Sequence, residues 1–257
     1  MSLVLLKLTL APGLVAATTL AGRRWGPRMA GWLGGLPVVV GPILLALALE
    51  HGRHFAVDAA GGALLGLLSL TFFVLAYAWC APRAGWLPAA ALGWAAFAAG
   101  TAVLDRLSVP NWAALALVCG SFAAAAALLP RGRAERPGRP PRFDLMLRAA
   151  ATAALVLALT GLAGLLGPRL SGLLASFPVL ATVLAAFTHA QEGAAAATEL
   201  LRGFVTGLVA FAVFCFVVAE LLPHAGIAAT FLVASAIALA MHAVSFAARA
   251  VSARARP

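Results

Sequence analysis

Of 257 residues, 63% are apolar and only 10% are charged, and the formal net charge is +10. A soluble domain carries roughly 45–50% apolar and about 25% charged residues, so too little charge is present to clothe a water-facing surface of this size. Soluble globular protein and disorder, which needs low hydrophobicity, are both excluded, and the expectation is an all-α polytopic membrane protein.

A bilayer core of about 30 Å takes roughly 20 apolar residues per helix. Nine such runs follow one another at 3–21, 29–49, 55–80, 84–104, 111–129, 145–166, 170–190, 194–222 and 225–248. Breaks fall where Gly, Pro and charge cluster, as in Gly22–Arg28, Glu50–His54, Ala81–Arg83, Asp105–Arg106 and Pro223–Gly226. Lys7 sits inside the first run with no basic stretch before it, which fits a cleaved leader poorly. The prolines and like charges of Arg131–Arg142 read as a linker without packed structure. Cys80, Cys119 and Cys215 all lie in apolar runs and form neither a disulfide framework nor a metal pattern.

The arginines give an orientation. With nine helices and the N-terminus outside, twelve fall in inner loops and the tail, against Arg53, Arg106 and Arg169 outside. Such a bias marks the inner face, so the chain is expected to run N-out and C-in, and the positive charge reports topology rather than nucleic acid.

An internal repeat is the most informative feature. Gly26–Val38 lies over Gly167–Val179 with seven of thirteen positions identical, at an offset of 141 and without a gap. The same offset pairs Lys7 with Arg148, Gly52 with Gly193, Asp58 with Glu199, Gly62 with Gly203, Gly66 with Gly207 and Phe73 with Phe214. Composition bias produces chance identities but does not pair rare charges by sign. Helices 1–4 (residues 1–108) thus match helices 6–9 (144–257), with helix 5 and the basic linker (109–143) between them. An odd number of spans precedes the second copy, so the copy is inverted. This 4+1+4 layout is typical of secondary transporters. It resembles, in topology, the fused two-domain fluoride channels and, by half, the small four-helix multidrug exporters, although the functional residues of those families do not recur at matching positions. The repeated Gly-Pro-Arg…Pro-Val pattern is similar to that of bacterial inner-membrane proteins of no assigned activity, which implies a multi-pass inner-membrane location and no chemistry.

Two sets of residues could carry function. Pro37 and Pro178 fall at matched mid-span positions, and proline removes one helical hydrogen bond and clashes with the preceding turn. In lipid the freed carbonyl needs a partner or a wet cavity, and paired broken helices near the midplane point to a transport site. Gly41, Ser176 and Thr182 would share the site; the competing account is a pair of inherited packing kinks. The second set is two expected ion pairs, Lys7–Asp58 outside and Arg148–Glu199 inside, acting as alternating gates, because a membrane-embedded charge is costly unless paired. Against it, Arg202 could satisfy Glu199 at i,i+3, and all four groups lie near water. Gly62-xxx-Gly66 and Gly203-xxx-Gly207 have the spacing that lets helices approach closely and are expected to cross each other at the pseudo-twofold axis. His51, His54 and His189 read as ordinary loop or helix-end histidines more readily than as proton carriers, and His242 as a hydrogen-bonded core residue.

No HExxH, Walker or dinucleotide motif is present, so no enzyme, metal or cofactor is expected. The sequence favours a transporter or exporter of a small solute; a channel along the same axis, or a subunit of a membrane complex, are the alternatives.

Overall fold

A computed structural model describes the backbone of residues 3–131, 141, 143–158 and 177–254. The described residues form nine helices: α1 (Leu3–Trp25), α2 (Pro27–Gly34), α3 (Val40–Glu50), α4 (Arg53–Cys80), α5 (Trp86–Leu104), α6 (Asn111–Leu128), α7 (144–158), α8 (Val179–Leu221) and α9 (Ile227–Arg254). Five of them, α4, α5, α6, α8 and α9, are long and apolar enough to cross a membrane. The chain is accordingly a multi-pass membrane protein by the length and composition of its helices.

Burial separates the helices into two kinds. On α4, Leu64, Leu67, Phe73 and Tyr77 are fully buried, and on α8 so are Leu200, Leu201, Leu208 and Cys215. A helix apolar on all sides belongs in the centre of the bundle. On α5, α6 and α9 one stripe is buried, while Leu87, Val103, Trp112, Leu117, Leu232 and Val244 stand exposed. Large apolar side chains displayed along helices in this number suit hydrocarbon rather than water.

The second expected span, 29–49, is two helices. Residues 35–39 between α2 and α3 are turns, because Pro37 supplies no N–H to the ladder. The first helix runs on to Trp25, and only Gly26 separates it from α2. At the other end of the chain the expected break between spans 7 and 8 is a bend inside α8. Forty-three straight helical residues would reach about 65 Å, twice the hydrocarbon core. Gly193, at φ 86° and ψ 172°, interrupts the helix after 14 residues and leaves a second arm of 28. The first third of span 7 (170–176), the end of span 6, the loop Gly167–Arg169 and most of the basic linker lie outside the described residues.

Side-chain bonds show which helix ends meet. Arg23 at the end of α1 reaches Asp144 at the start of α7, and Gln191, at the α8 bend, bonds the same carboxylate. Tyr77 near the end of α4 contacts His189. At the far end, Asn111 at the start of α6 donates to Glu220 near the end of α8.

Candidate functional site

The break in the first half is built by local rules. Leu36 N–H bonds Leu33 O at 3.2 Å as a tight turn, and Gly41 N–H regains helical pairing with Pro37 O at 2.8 Å. Gly35 N–H also reaches Gly31 O at 3.2 Å and Trp32 O at 3.3 Å, so the turn itself takes up the carbonyls at the end of α2. Gly41 is buried, and a methyl there would lie 3.3 Å from Phe214 Cζ. Pro37 itself is half-buried and Val38 exposed.

At the matched position, Pro178 caps α8 and its carbonyl accepts from Thr182 N–H at 2.8 Å. Trp94 of α5 donates its indole N–H to Thr182 Oγ1 at 3.0 Å. Phe177 lies 6.0 Å from the Trp94 ring and 5.3 Å, edge-on, from Phe97. Ser176 lies outside the described residues. A methyl on Gly34, at the end of α2, would sit 3.3 Å from Leu184 Cδ1 and 3.4 Å from the Phe204 ring. The end of the first interrupted helix thus abuts the first arm of α8, three turns or less from each proline. Trp94, Phe97 and Phe177 had no signal in the repeat, because their partners at the same offset, Ser235, Ala238 and Leu36, are not aromatic.

The Arg148–Glu199 gate expected from sequence does not form. Arg148 Nε donates to Asp144 Oδ1 at 2.9 Å, four residues earlier on α7, with both side chains buried. Its Nη2 reaches Gln191 Oε1 at 3.2 Å, and its guanidinium lies 5.2 Å from the Phe187 ring. Gln191 Nε2 bonds Asp144 Oδ1 at 2.6 Å, and Arg23 Nη2 reaches Oδ2 at 2.8 Å. Glu199 instead pairs with Arg202 at 3.4 Å, three residues along its own helix. Local partners one turn away satisfy both charges before a cross-bundle pair can. Burial pushes the Asp144 carboxyl upward, but hydrogen bonds from Gln191 and Arg148, the Arg148 charge and the Arg23 bond outweigh it and hold the pKa below the ordinary value. Asp58 is exposed, and the side chain of Lys7 lies outside the described residues, and with it the Lys7–Asp58 pair.

Arg202 has a further role that the spacing alone did not reveal. Its guanidinium donates to Ala126 O at 3.1 Å, Leu129 O at 2.6 Å and Pro130 O at 3.0 Å, closing the C-terminus of α6. A cation at this end also meets the negative pole of the helix.

Gly203 and Gly207 do not face Gly62 and Gly66. A methyl on Gly203 would overlap Arg28 O, and one on Gly207 would overlap Trp32 O. Reciprocally, a methyl on Gly31 would overlap Leu200 O, and one on Gly35 would stand 2.5 Å from the Gly207 carbonyl carbon. The second arm of α8 therefore crosses α2 backbone to backbone, glycine pair into glycine pair. Next to this crossing, Trp32 donates to Ser245 Oγ at 3.2 Å, and its ring lies 4.8 Å from that of buried His242. His51 and His54 are exposed, and His189 meets Tyr77 Oη at 3.3 Å. Among the described residues no group of His, Cys, Asp and Glu could hold a metal ion.

Comparison with protein-family models, with curated proteins and with solved structures finds no match to this chain.

Proposed function

We propose that the chain is a secondary transporter or exporter of a small solute, built as two inverted four-helix repeats around α6, N-out and C-in, in a bacterial inner membrane. The observation that carries this reading is that Pro37 and Pro178, at matched positions in the sequence, both stand outside helix: turns run at 35–39 around Pro37 between α2 and α3, and α8 starts only after Pro178. Interrupted helices offer backbone dipoles at membrane depth, which is tolerated where protein or a water-lined cavity can satisfy them. The two sites are joined by one apolar seam, Gly34 against Leu184 and Phe204. The helix ends that meet, α1 with α7 and the α8 bend, α6 with the end of α8, support the alternating passes of a nine-span chain.

Around Pro178 stand aromatic rings, one indole N–H and one hydroxyl, and among the described residues no charged side chain contacts Phe177 or Thr182. That lining suits a neutral, amphipathic or weakly charged solute better than a multivalent ion. Rocking of the two repeats about this seam would expose it to each face in turn.

A thermal-shift screen of the purified protein against chemically diverse solutes, followed by uptake into proteoliposomes, tests the reading. A stabilising solute should be taken up saturably, and Pro37→Ala and Pro178→Ala should each weaken its effect. A solute whose stabilisation survives both substitutions binds elsewhere.

A further inference from the structure

Asp144 accepts hydrogen bonds from three elements at once, and they divide unevenly between the two halves of the chain. Arg148 on α7 and Gln191 at the α8 bend both belong to residues 144–257 and bond the same oxygen, Oδ1, at 2.9 and 2.6 Å. Arg23, at the end of α1, belongs to the first half and bonds the other oxygen, Oδ2, at 2.8 Å. The first two bonds form within one half and would travel with it. The Arg23 bond spans the halves.

Accessibility divides the same way. The side chains of Asp144 and Arg148 are 1% and 4% exposed, whereas that of Arg23 is 35% exposed. Breaking the Arg148–Asp144 pair would leave a buried charge uncompensated, which is strongly unfavourable. Releasing Arg23 returns a half-wetted guanidinium to water and leaves Asp144 with two donors, a much smaller change. The bond between the halves is therefore the weak one. Glu192, next to Gln191, also feels the charges of Arg23, Arg148 and Asp144, so the four charges balance with Arg23 docked and leave one negative charge over when it is released.

On the transporter reading proposed above, we infer that Arg23–Asp144 is the latch that holds the two halves together at the arginine-rich face, and that its release opens that face. The remainder of the cluster, Asp144–Arg148–Gln191, is the fixed receptor for the Arg23 guanidinium. An Arg148–Glu199 gate is unnecessary, since Glu199 is occupied by Arg202 on its own helix.

The test measures the opening itself, independently of any solute. In the full chain, with Cys80, Cys119 and Cys215 replaced by Ala, spin labels are placed at Arg24 and Phe143, both exposed and adjacent to the latch. Distances are measured by pulsed electron resonance in lipid nanodiscs. The parent should give one short distance, and Arg23→Gln should add a longer-distance population. Arg23→Lys, which keeps the charge, should restore the short distance. An unchanged distribution in Arg23→Gln overturns the latch, as does a widened one in Arg23→Lys, which would make shape rather than charge responsible. Because Arg23→Gln leaves the buried pair intact, it does not depend on the survival of an Asp144 variant. Uptake assays report on the transporter reading separately: opening without uptake keeps the latch and removes the transporter.

Discussion

Gly52 and Gly193 hold the same backbone conformation, φ 86° and ψ 171° in one, φ 86° and ψ 172° in the other. They stand at the repeat offset, and each begins a helix that runs through the centre of the bundle. This region of conformational space is essentially reserved for glycine. Nothing lies within 4 Å of a methyl built on either residue, so backbone strain alone sets the cost of substitution. Gly52→Ala and Gly193→Ala are each expected to lose about 1–3 kcal/mol. Thermal unfolding in detergent should show falls in Tm of similar size for the two.

At the α2–α8 crossing the obstacle is steric instead. Gly203→Ala would drive a methyl into the Arg28 carbonyl, which is backbone and has no rotamer to escape to. A loss of about 3 kcal/mol or more is expected, larger than at Gly52. Gly120→Ala on α6, with open space around it, is the control, and should gain about 0.5–1 kcal/mol from helix propensity. Equal effects at Gly203 and Gly120 would rule out the close crossing.

Arg202→Met removes three donors from the end of α6 and unpairs Glu199. Loss of a buried, hydrogen-bonded charge costs about 3–5 kcal/mol. Hydrogen exchange should quicken at Leu128 and Leu129 more than at the start of α6. Arg202→Lys should recover little, since an ammonium lacks the planar fork.

The Asp144 carboxyl is held below the unfolded carboxylate value of about 3.9. Its stabilisation is therefore present in full above that value and fades as pH falls through the folded-state pKa. Asp144→Asn should be less stable than the parent at pH 7 by about 3 kcal/mol, and the gap should narrow below about pH 4. Tm measured across pH 3–7 for both proteins checks it. A gap that stays constant to pH 3 would show that the charge of Asp144 is not what stabilises.

Thr182→Val leaves the Trp94 indole without its acceptor. Hydrogen bonds between membrane helices average about 0.6 kcal/mol and reach about 1.7, so the loss should be near 1 kcal/mol, with Trp94 emission shifted.

What could be read from the chain beforehand follows what proline and glycine do to a backbone. The break at Pro37 and the bend at Gly193 both come from single residues whose φ or N–H is exceptional, and the repeat pointed to both. The spans at 55–80 and 111–129 match α4 and α6 to within two residues, because charge and proline bound them. Partners across the bundle were another matter. Gly31 and Gly35 have the same spacing as Gly203 and Gly207, yet symmetry suggested Gly62 and Gly66 as the mates. Spacing tells which residues are small, not which helix comes near. Asp144 stands one turn before Arg148, so their pairing is legible in the sequence, and this local i,i+4 partner outcompetes a symmetric Arg148–Glu199 gate. Trp94 against Thr182 had no sequence signal, since contacts between distant apolar helices follow packing alone.

The Arg202 bonds to the end of α6 reach beyond stability. By covalent order α6 belongs to what precedes it, yet its last carbonyls are held by a side chain from the far half of the protein. A chain severed between residues 131 and 141 would thus retain a docking site on each piece, and two co-expressed fragments could reassemble as a heterodimer. The pairing of the halves is thus carried by tertiary contacts, this guanidinium and the α2–α8 crossing among them, as well as by the peptide linker.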